Sequence, residues 1–226
     1  AITVGPEIPL SAIGTSGDSA STTPPIPDAI ALATPDAAGN FVDLTEQTEY
    51  GPIPRISTTG ETPFAAYSRP SAAAEASGRP LVAIVVTGLG LNPSGTLDAI
   101  EKLPEAVTLA FAPYGKDLER TAGLARAEGH EIFLEVPLEP FDYPDSDPGP
   151  DTLLTGQAPR DNLRKLFKVM SSIGGYAAVV NNMGARFTAS GTDFGPMMEE
   201  LGSRGLGYLD DGSSNRSLAP QLAQAN

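Results

Sequence analysis

Short apolar runs alternate with amphipathic segments along residues 80–226, and this alternation limits the fold more than any other feature of the chain. The run Leu81 to Val86 predicts a first strand, and Asn92 followed by Pro93 predicts the start of the first helix. Further strands are predicted at VTLAFAP, HEIFLEVP, YAAVVNN and LGYLDD, with helices between them. Because such alternation folds through right-handed crossovers into a parallel sheet, an α/β domain is expected, as an open sheet or a barrel.

Residues 1–79 have a different composition. They contain ten prolines, nine acidic residues, three arginines and no lysine. Such a segment buries too little apolar surface to offset its chain entropy, so a Pro/Ala/Ser/Thr-rich extended segment is predicted before the domain. Its residues 50–70 carry aromatic side chains that are unusual in linkers, and we expect this strip to dock on the domain rather than remain free, with residues 1 to about 40 mobile.

Charge and composition exclude several classes of function. The formal net charge of −14 argues against binding to nucleic acid or to an acidic membrane surface, which both need a surplus of Lys and Arg. The absence of cysteine removes disulfides and thiolate metal sites. No apolar run approaches the roughly 20 residues of a transmembrane helix. Because the chain does not begin with methionine, a trimmed N-terminus is expected, and any preceding signal or anchor is not visible.

Ligands of parallel α/β folds bind at the carboxyl ends of the strands. The residues at the carboxyl ends of the predicted strands are Thr87, Gly88, Pro113, Tyr114, Glu135, Glu139, Asn181, Asn182, Asp210 and Asp211. Arg186 follows shortly after the fourth strand. Asn and Asp-Gly are also ordinary turn formers at such places. Glu135 differs, because it interrupts a strand predicted to be buried, where a carboxylate needs a partner or a function. We expect a buried pair of Glu135 and Arg186, with Asp210 nearby.

Six sequence blocks follow one another over about residues 80–220: AIVVTGLG, GTLDAIEKLPEAVTLAFAPYG, ARAEGHEIFLEVPLEP, DPGPDTLLTG, VVNNMGARFT and LGSRGLGYLDD. In order and spacing they resemble the divergent polysaccharide deacetylase family, a distant branch of the NodB-like deacetylases. The resemblance implies an irregular (β/α) barrel and a periplasmic or cell-envelope location. It also implies an ancestral reaction in which a divalent metal, held by Asp, His and His, activates water against an N-acetyl group.

The resemblance also implies that the metal ligands have been replaced. Thr87 and Gly88 stand where family members have two aspartates, the base and a metal ligand, while Glu135 and Asn182 stand at the two histidines. Thr87, Glu135 and Asn182 together supply one carboxylate and two neutral oxygens, which make a weak site for a hard cation and no zinc triad. No metal cofactor is therefore expected.

Three other signals are interpreted as structural. His130, the one histidine, lies at the start of the third predicted strand, opposite the expected site. The loop from Glu139 to Asp151 holds five acidic residues, but four prolines intervene and the calcium-loop spacing is absent, so a solvated lid loop is predicted. Gly88-Leu89-Gly90 lacks the continuation of a phosphate loop.

The expected function is that of a deacetylase-like envelope protein that has lost its metal centre and kept a strand-end cleft. The cleft is predicted to bind a polysaccharide, a peptidoglycan-type glycan or another partner, and to be lined by Thr87, Gly88, Glu139, Asn181, Asn182 and Arg186. The alternative is an active deacetylase or hydrolase with Glu135 and Asp210 as catalytic residues, and a purely structural module is the third interpretation. Because five strands cannot easily close a barrel, we expect a fragment, an open sheet or a sheet completed by another copy.

Overall fold

The structure is a computed structural model that describes residues 40–224, all of which belong to one compact unit. The strands are β1 Thr45–Thr48, β2 Gly51–Pro54, β3 Val85–Leu89, β4 Thr108–Phe111, β5 Ile132–Leu138, β6 Ala178–Met183 and β7 Gly207–Leu209. The helices are α1 Pro63–Tyr67, α2 Ala72–Glu75, α3 Pro93–Lys102, α4 Leu118–Ala127, α5 Pro159–Met170, α6 Gly191–Ser203 and α7 Ala219–Ala223, and a 3-10 turn covers Val42–Leu44.

The sheet of β3 to β7 is parallel throughout, and its strands lie side by side in chain order. With right-handed crossovers, this order places helices α3 to α6 on one face. Phe111, Leu134, Val179 and Tyr208 form one row across the sheet and belong to the core on that face or pack against it. The predicted parallel α/β fold is therefore confirmed, but as a five-stranded sheet in which β3 and β7 do not pair with each other, not as a closed barrel.

Local sequence signals account for two details of this fold. Helix α3 begins as predicted, because the Asn92 side chain accepts a hydrogen bond from the Gly95 amide at 3.3 Å and Pro93 starts the helix. His130 is structural, as expected. It is buried, and its ring nitrogens lie 2.8 Å from the Val107 carbonyl oxygen and 3.1 Å from that of Ile100.

The predicted bounds of the first strand are wrong. The strand begins at Val85 rather than Leu81, and Leu81, Val82 and Ile84 are exposed. The physical reason is the place of β3 in the sheet. It is an edge strand whose one partner, β4, begins at Thr108 opposite Val85. The ladder therefore ends at Ile84, whose carbonyl accepts from the Thr108 amide at 3.0 Å, and Leu81 to Ala83 lie beyond it.

Residues 41–67 cover the amino-terminal half of the sheet face opposite the helices. Leu44 and Tyr67 form a second apolar cluster with Ala177, and Phe133 of β5 packs against it. The Phe64 ring lies close to Gly207: a Cβ atom added to Gly207 would be 2.8 Å from a carbon of the ring. The Phe64 amide also donates to the Gly205 carbonyl at 3.0 Å. Residues 41–67, which include most of the predicted strip, thus lie over the row formed by Phe133, Ala178 and Gly207.

Two arginines fasten the end of this strip to the amino-terminal edge of the sheet. Arg69 pairs with Glu105 and donates to the Gly129 carbonyl at 3.0 Å. Arg126 donates to the Tyr67 carbonyl at 2.7 Å, and its guanidinium carbon lies 5.2 Å from the centre of the Tyr67 ring. Together these contacts hold residues 67–69 at both the backbone and the side-chain level.

The double variant Arg69→Ala/Arg126→Ala is expected to release the strip. Loss of these bonds removes roughly 1–3 kcal/mol from the local opening free energy, so chymotrypsin should cut near Tyr67 at least several-fold faster than in the wild-type protein. Arg79→Ala, at an exposed position, is the control and should cut at the wild-type rate. Equal rates for the double variant and the wild type would show that the strip is not held by these residues.

The predicted mobility of residues 1 to about 40 falls outside the described residues except for Asn40.

No helix among residues 40–224 is long and apolar enough to cross a membrane.

Candidate functional site

Glu135 is a buried carboxyl group on the sheet face opposite the helices. It forms a row with Val180 and Leu209, two residues closer to the carboxyl ends than the row covered by the strip. Its Oε1 accepts a hydrogen bond from the backbone amide of Gly88 at the end of β3. Burial raises the pKa of the Glu135 carboxyl, and the Gly88 hydrogen bond offsets this only in part. No cation among residues 40–224 forms an ion pair with Glu135.

Two polar side chains near Glu135 are free to bind a ligand. Asn182 pairs with Pro137, one row beyond Glu135 on the same face, and is partly exposed. Thr87 precedes Gly88 and is exposed. Within the part of the chain that the structure describes, neither the Thr87 hydroxyl nor the Asn182 amide has a hydrogen-bond partner. The structure thus brings Thr87, Gly88, Glu135 and Asn182 to one end of the sheet.

Glu139, rather than Glu135, is the partner of Arg186. The Glu139 side chain is buried, its Oε1 lies 3.1 Å from Arg186 Nη1, and its Oε2 accepts from the Thr155 amide at 2.5 Å and hydroxyl at 2.8 Å. The Glu139 carbonyl also accepts from the Arg186 and Phe187 amides, both at 3.1 Å. The expected pair of Glu135 and Arg186 is therefore wrong. Arg186 follows the turn after β6, and from there its side chain meets the residue just beyond β5.

The Asn181 and Asp210 side chains form hydrogen bonds with groups at the ends of β6 and β7. The buried Asn181 amide donates to the Met183 carbonyl at 2.7 Å and accepts from the Asp211 amide at 2.9 Å, so it ties β6 to the end of β7. Asp210 accepts from the Gly212 amide at 2.8 Å and from the Ser217 hydroxyl. Leu209 shares the row of Glu135 and Asp210 is the next residue, so the expected place of Asp210 near Glu135 stays a prediction.

Sequence reasoning missed a group of exposed apolar side chains at the strand ends. They are Leu91 after β3, Phe141 after β5, Met183 at the end of β6 and Leu209 at the end of β7. Phe141 is the largest of them and is 54% exposed. The guanidinium carbon of Arg216, in the loop after β7, lies 5.8 Å from the centre of its ring. Two aromatic residues, Phe141 and Tyr143, in a loop of prolines and acidic residues were the signal in the sequence that could have identified Phe141.

Comparison with known proteins identifies the family. Residues 84–226, well over half of the chain, match the family model of the divergent polysaccharide deacetylases. The chain belongs to this family. A search of the curated proteins finds no match. Among solved structures, the crystal structure of an uncharacterized protein from Agrobacterium tumefaciens is 43% identical in sequence, with a TM-score of 0.70 over 76% of this chain and 69% of that chain.

The strand-end residues of this divergent polysaccharide deacetylase do not fit the metal of the ancestral reaction. Gly88, Glu135 and Asn182, at the three positions that the resemblance assigns to metal ligands, supply one carboxylate, one carboxamide and no imidazole, whereas zinc sites are built from nitrogen and sulfur donors with an occasional carboxylate. The one carboxylate already accepts the Gly88 amide. Among residues 40–224, no three His, Asp or Glu side chains are arranged to hold a metal ion.

The backbone conformation of Gly88 disfavours a residue with a side chain, and a metal ligand needs a side chain. Its φ of +77° lies in the left-handed region that favours glycine, although an added Cβ would meet no atom within 4 Å. The space for an acidic side chain is therefore present, but the backbone disfavours one.

Proposed function

We propose that this divergent polysaccharide deacetylase binds a glycan at the carboxyl ends of β3, β5 and β6 and lacks the metal-dependent hydrolysis of its family. The observation that carries the proposal is the donor set of Gly88, Glu135 and Asn182. The resemblance assigns these residues to the metal-ligand positions, yet they offer one carboxylate and no imidazole. The polar residues around Glu135 then serve recognition instead of metal binding.

The available groups match the hydroxyl-rich edge of a sugar. The Thr87 hydroxyl donates and accepts, the Asn182 amide does both at separate atoms, and Arg186 only donates. Half of the Arg186 side chain is exposed, while its bond to the buried Glu139 fixes the direction of the guanidinium group. A donor held in place before binding loses little entropy when the ligand arrives, which favours affinity.

We also propose that the protein lies in the periplasm or the cell envelope, where structural polysaccharides and peptidoglycan-type glycans are found. This location is what the resemblance of the sequence blocks to the family implies. Fractionation of cells that produce the full-length protein, with an antibody against it, tests this location. Recovery in the cytosolic fraction would contradict it.

Sedimentation with insoluble peptidoglycan and chitin tests the binding. We expect the wild-type protein to be retained, and the double variant Thr87→Val/Asn182→Ala to bind roughly 5- to 160-fold more weakly, because two hydrogen bonds of about 0.5–1.5 kcal/mol each are lost. The variant should melt at the wild-type temperature, since neither side chain has a partner within the described protein. Gln47→Ala, at an exposed position of β1, is the matched control and should bind normally.

A second candidate function is favoured by the state of Glu135. A carboxyl group whose pKa is raised by burial is suited to general acid–base catalysis near neutral pH. The alternative is therefore an active carbohydrate deacetylase or hydrolase that uses Glu135 and Asp210 as its catalytic residues. Acetate release or chain cleavage by the wild-type protein, lost in Glu135→Gln at unchanged glycan binding, would replace the first proposal by this one.

A further inference from the structure

A cavity of about 320 Å³ lies at the amino-terminal edge of the sheet. It is lined by the end of the strip at Tyr67 to Pro70, by Arg126 of α4, and by the turn Gly129 to Glu131 that leads into β5. These residues lie away from the carboxyl ends of the strands, where Glu135 and its neighbours are found. The cavity is therefore a second candidate binding site, and it does not depend on the proposed glycan function.

Arg126 brings a partly buried positive charge to this cavity. Its Nη1 donates to the Tyr67 carbonyl at 2.7 Å, whereas its Nε and Nη2 have no hydrogen-bond partner among residues 40–224. No carboxylate in this part of the chain forms an ion pair with Arg126. Burial lowers the pKa of the Arg126 guanidinium, because water solvates the charge less well there. A cation with little water and no directly paired carboxylate favours the binding of an anion.

The Ser68 hydroxyl is a second unused group on the cavity wall. Its Oγ is buried and has no hydrogen-bond partner within the described protein. The Ser68 amide donates to the Phe64 carbonyl at 3.0 Å, so the backbone at this position is fixed by the end of α1. A buried hydroxyl without a partner costs free energy, which a ligand that accepts its hydrogen bond would recover. Arg126 and Ser68 thus offer donors to the same ligand.

Glu131 adds an acceptor to these donors. Its Oε2 accepts from the Arg69 amide at 2.9 Å and its Oε1 from the Thr108 hydroxyl at 3.0 Å, and each oxygen keeps a further lone pair. The charge of Glu131 acts on Arg126, but the two side chains are too far apart to form an ion pair. The charge of Arg69 is paired with Glu105. The ligand that matches this cavity therefore carries a negative oxygen for Arg126 and a hydroxyl hydrogen for Glu131.

We propose that the cavity binds hydrogenphosphate, with its charged oxygens on Arg126 and Ser68 and its remaining hydroxyl group donating to Glu131. Inorganic phosphate keeps a proton at mildly alkaline pH, whereas sulfate and phosphate monoesters keep none. Hydrogen bonds between a guanidinium group and a phosphate oxygen are charge-assisted and among the strong ones in proteins. The bound ion joins the end of the strip, α4 and the start of β5, so phosphate strengthens the attachment of the strip to the sheet.

Titration calorimetry at mildly alkaline pH tests the inference with inorganic phosphate, sulfate and glycerol 3-phosphate. Chloride keeps the ionic strength constant, and calorimetry is preferred to melting because phosphate and sulfate raise melting temperatures without a specific site. We expect the wild-type protein to bind phosphate, and to bind the other two anions at least about tenfold more weakly, because they meet the Glu131 carboxylate without a hydrogen bond. Chymotrypsin cleavage near Tyr67 should slow several-fold in saturating phosphate but not in sulfate.

Two variants locate the ion. Ser68→Ala should bind phosphate at least about fivefold more weakly, and it should melt at or above the wild-type temperature in chloride, since the Ser68 hydroxyl has no partner in the described protein to lose. Glu131→Gln should bind phosphate and sulfate with equal affinity, because the carboxylate that discriminates between them is gone. Ser77→Ala, at an exposed serine outside the cavity, is the matched control and should bind phosphate as the wild type does.

Three results would overturn the inference and leave the proposed glycan function untouched. If the wild-type protein binds no phosphate, the cavity is not a phosphate site. If Ser68→Ala binds phosphate as tightly as the wild type, the ion lies elsewhere. If sulfate or glycerol 3-phosphate binds as tightly as inorganic phosphate, Glu131 does not select a protonated anion and hydrogenphosphate is the wrong ligand.

Discussion

The triple variant Gly88→Asp/Glu135→His/Asn182→His is expected to bind one equivalent of zinc, whereas the wild-type protein is expected to bind none. The substitutions restore the Asp, His and His ligands of the ancestral site at the positions that the resemblance assigns to them. The backbone already brings two of these positions together, because the Gly88 amide donates to the Glu135 carboxylate. Two imidazoles and a carboxylate form one of the ligand sets found in catalytic zinc sites.

The main obstacle to this variant is the backbone of Gly88. A φ of +77° disfavours every side chain, although Asp and Asn tolerate the left-handed region better than most residues. We therefore expect the metal-free triple variant to be less stable than the wild type and zinc to restore part of the loss, since a ligand that binds only the folded state stabilises it. The matched control is Glu135→His/Asn182→His, which keeps Gly88 and should bind zinc much more weakly.

Elemental analysis after dialysis, with a thermal melt in the presence and absence of zinc, measures both effects. One equivalent of zinc in the wild-type protein after the same dialysis would overturn the proposed loss of the metal centre. A folded triple variant without zinc, and without a shift of its melting temperature, would mean that the three positions do not converge as the sheet register indicates.

The sequence was a good guide to features that depend on local chemistry. Asn92 caps α3 because its side chain reaches an amide three residues away, and this is decided within one turn of helix. The bounds of β3 were not predictable in the same way. Leu81 to Ile84 are as apolar as a buried strand, but their exposure follows from the edge position of β3, which pattern alone does not determine.

The candidate site was predictable in position but not in pairing. The family motif placed Gly88 and Glu135 together, and the structure contains that contact. Both Glu135 and Glu139 lie near the end of β5, and the charges alone did not decide which of them meets Arg186. The decision depends on the turn after β6, where Met183 has a φ of +60° and Gly184 packs against Leu138 too closely for a Cβ. This turn directs Arg186 to Glu139.

The two buried glutamates of this region are expected to respond oppositely to the same substitution. Glu135 has no cation partner among the described residues, and burial raises its pKa above the ordinary value of 4.5. Between the ordinary pKa and the raised one, the folded protein holds a proton that the unfolded chain has released. The contribution of Glu135 to wild-type stability therefore falls as the pH rises through this window and stays unfavourable above it.

Glu135→Gln should remove this penalty, because the neutral amide still offers an oxygen to the Gly88 amide. We expect the variant to be more stable than the wild type by about 1–3 kcal/mol at neutral pH, and the advantage to disappear below about pH 4.5. Glu139→Gln should instead lose about 1–3 kcal/mol at neutral pH, since Arg186 then lacks its charge partner. Urea denaturation of the wild type and both variants, from below about pH 4.5 to neutral pH, measures both effects. Subtracting the wild-type free energy of unfolding from that of each variant removes the contribution of all other titrating groups. If Glu135→Gln is destabilised at neutral pH as Glu139→Gln is, then Glu135 has a cationic partner in solution and its carboxylate is held for the fold rather than for a ligand.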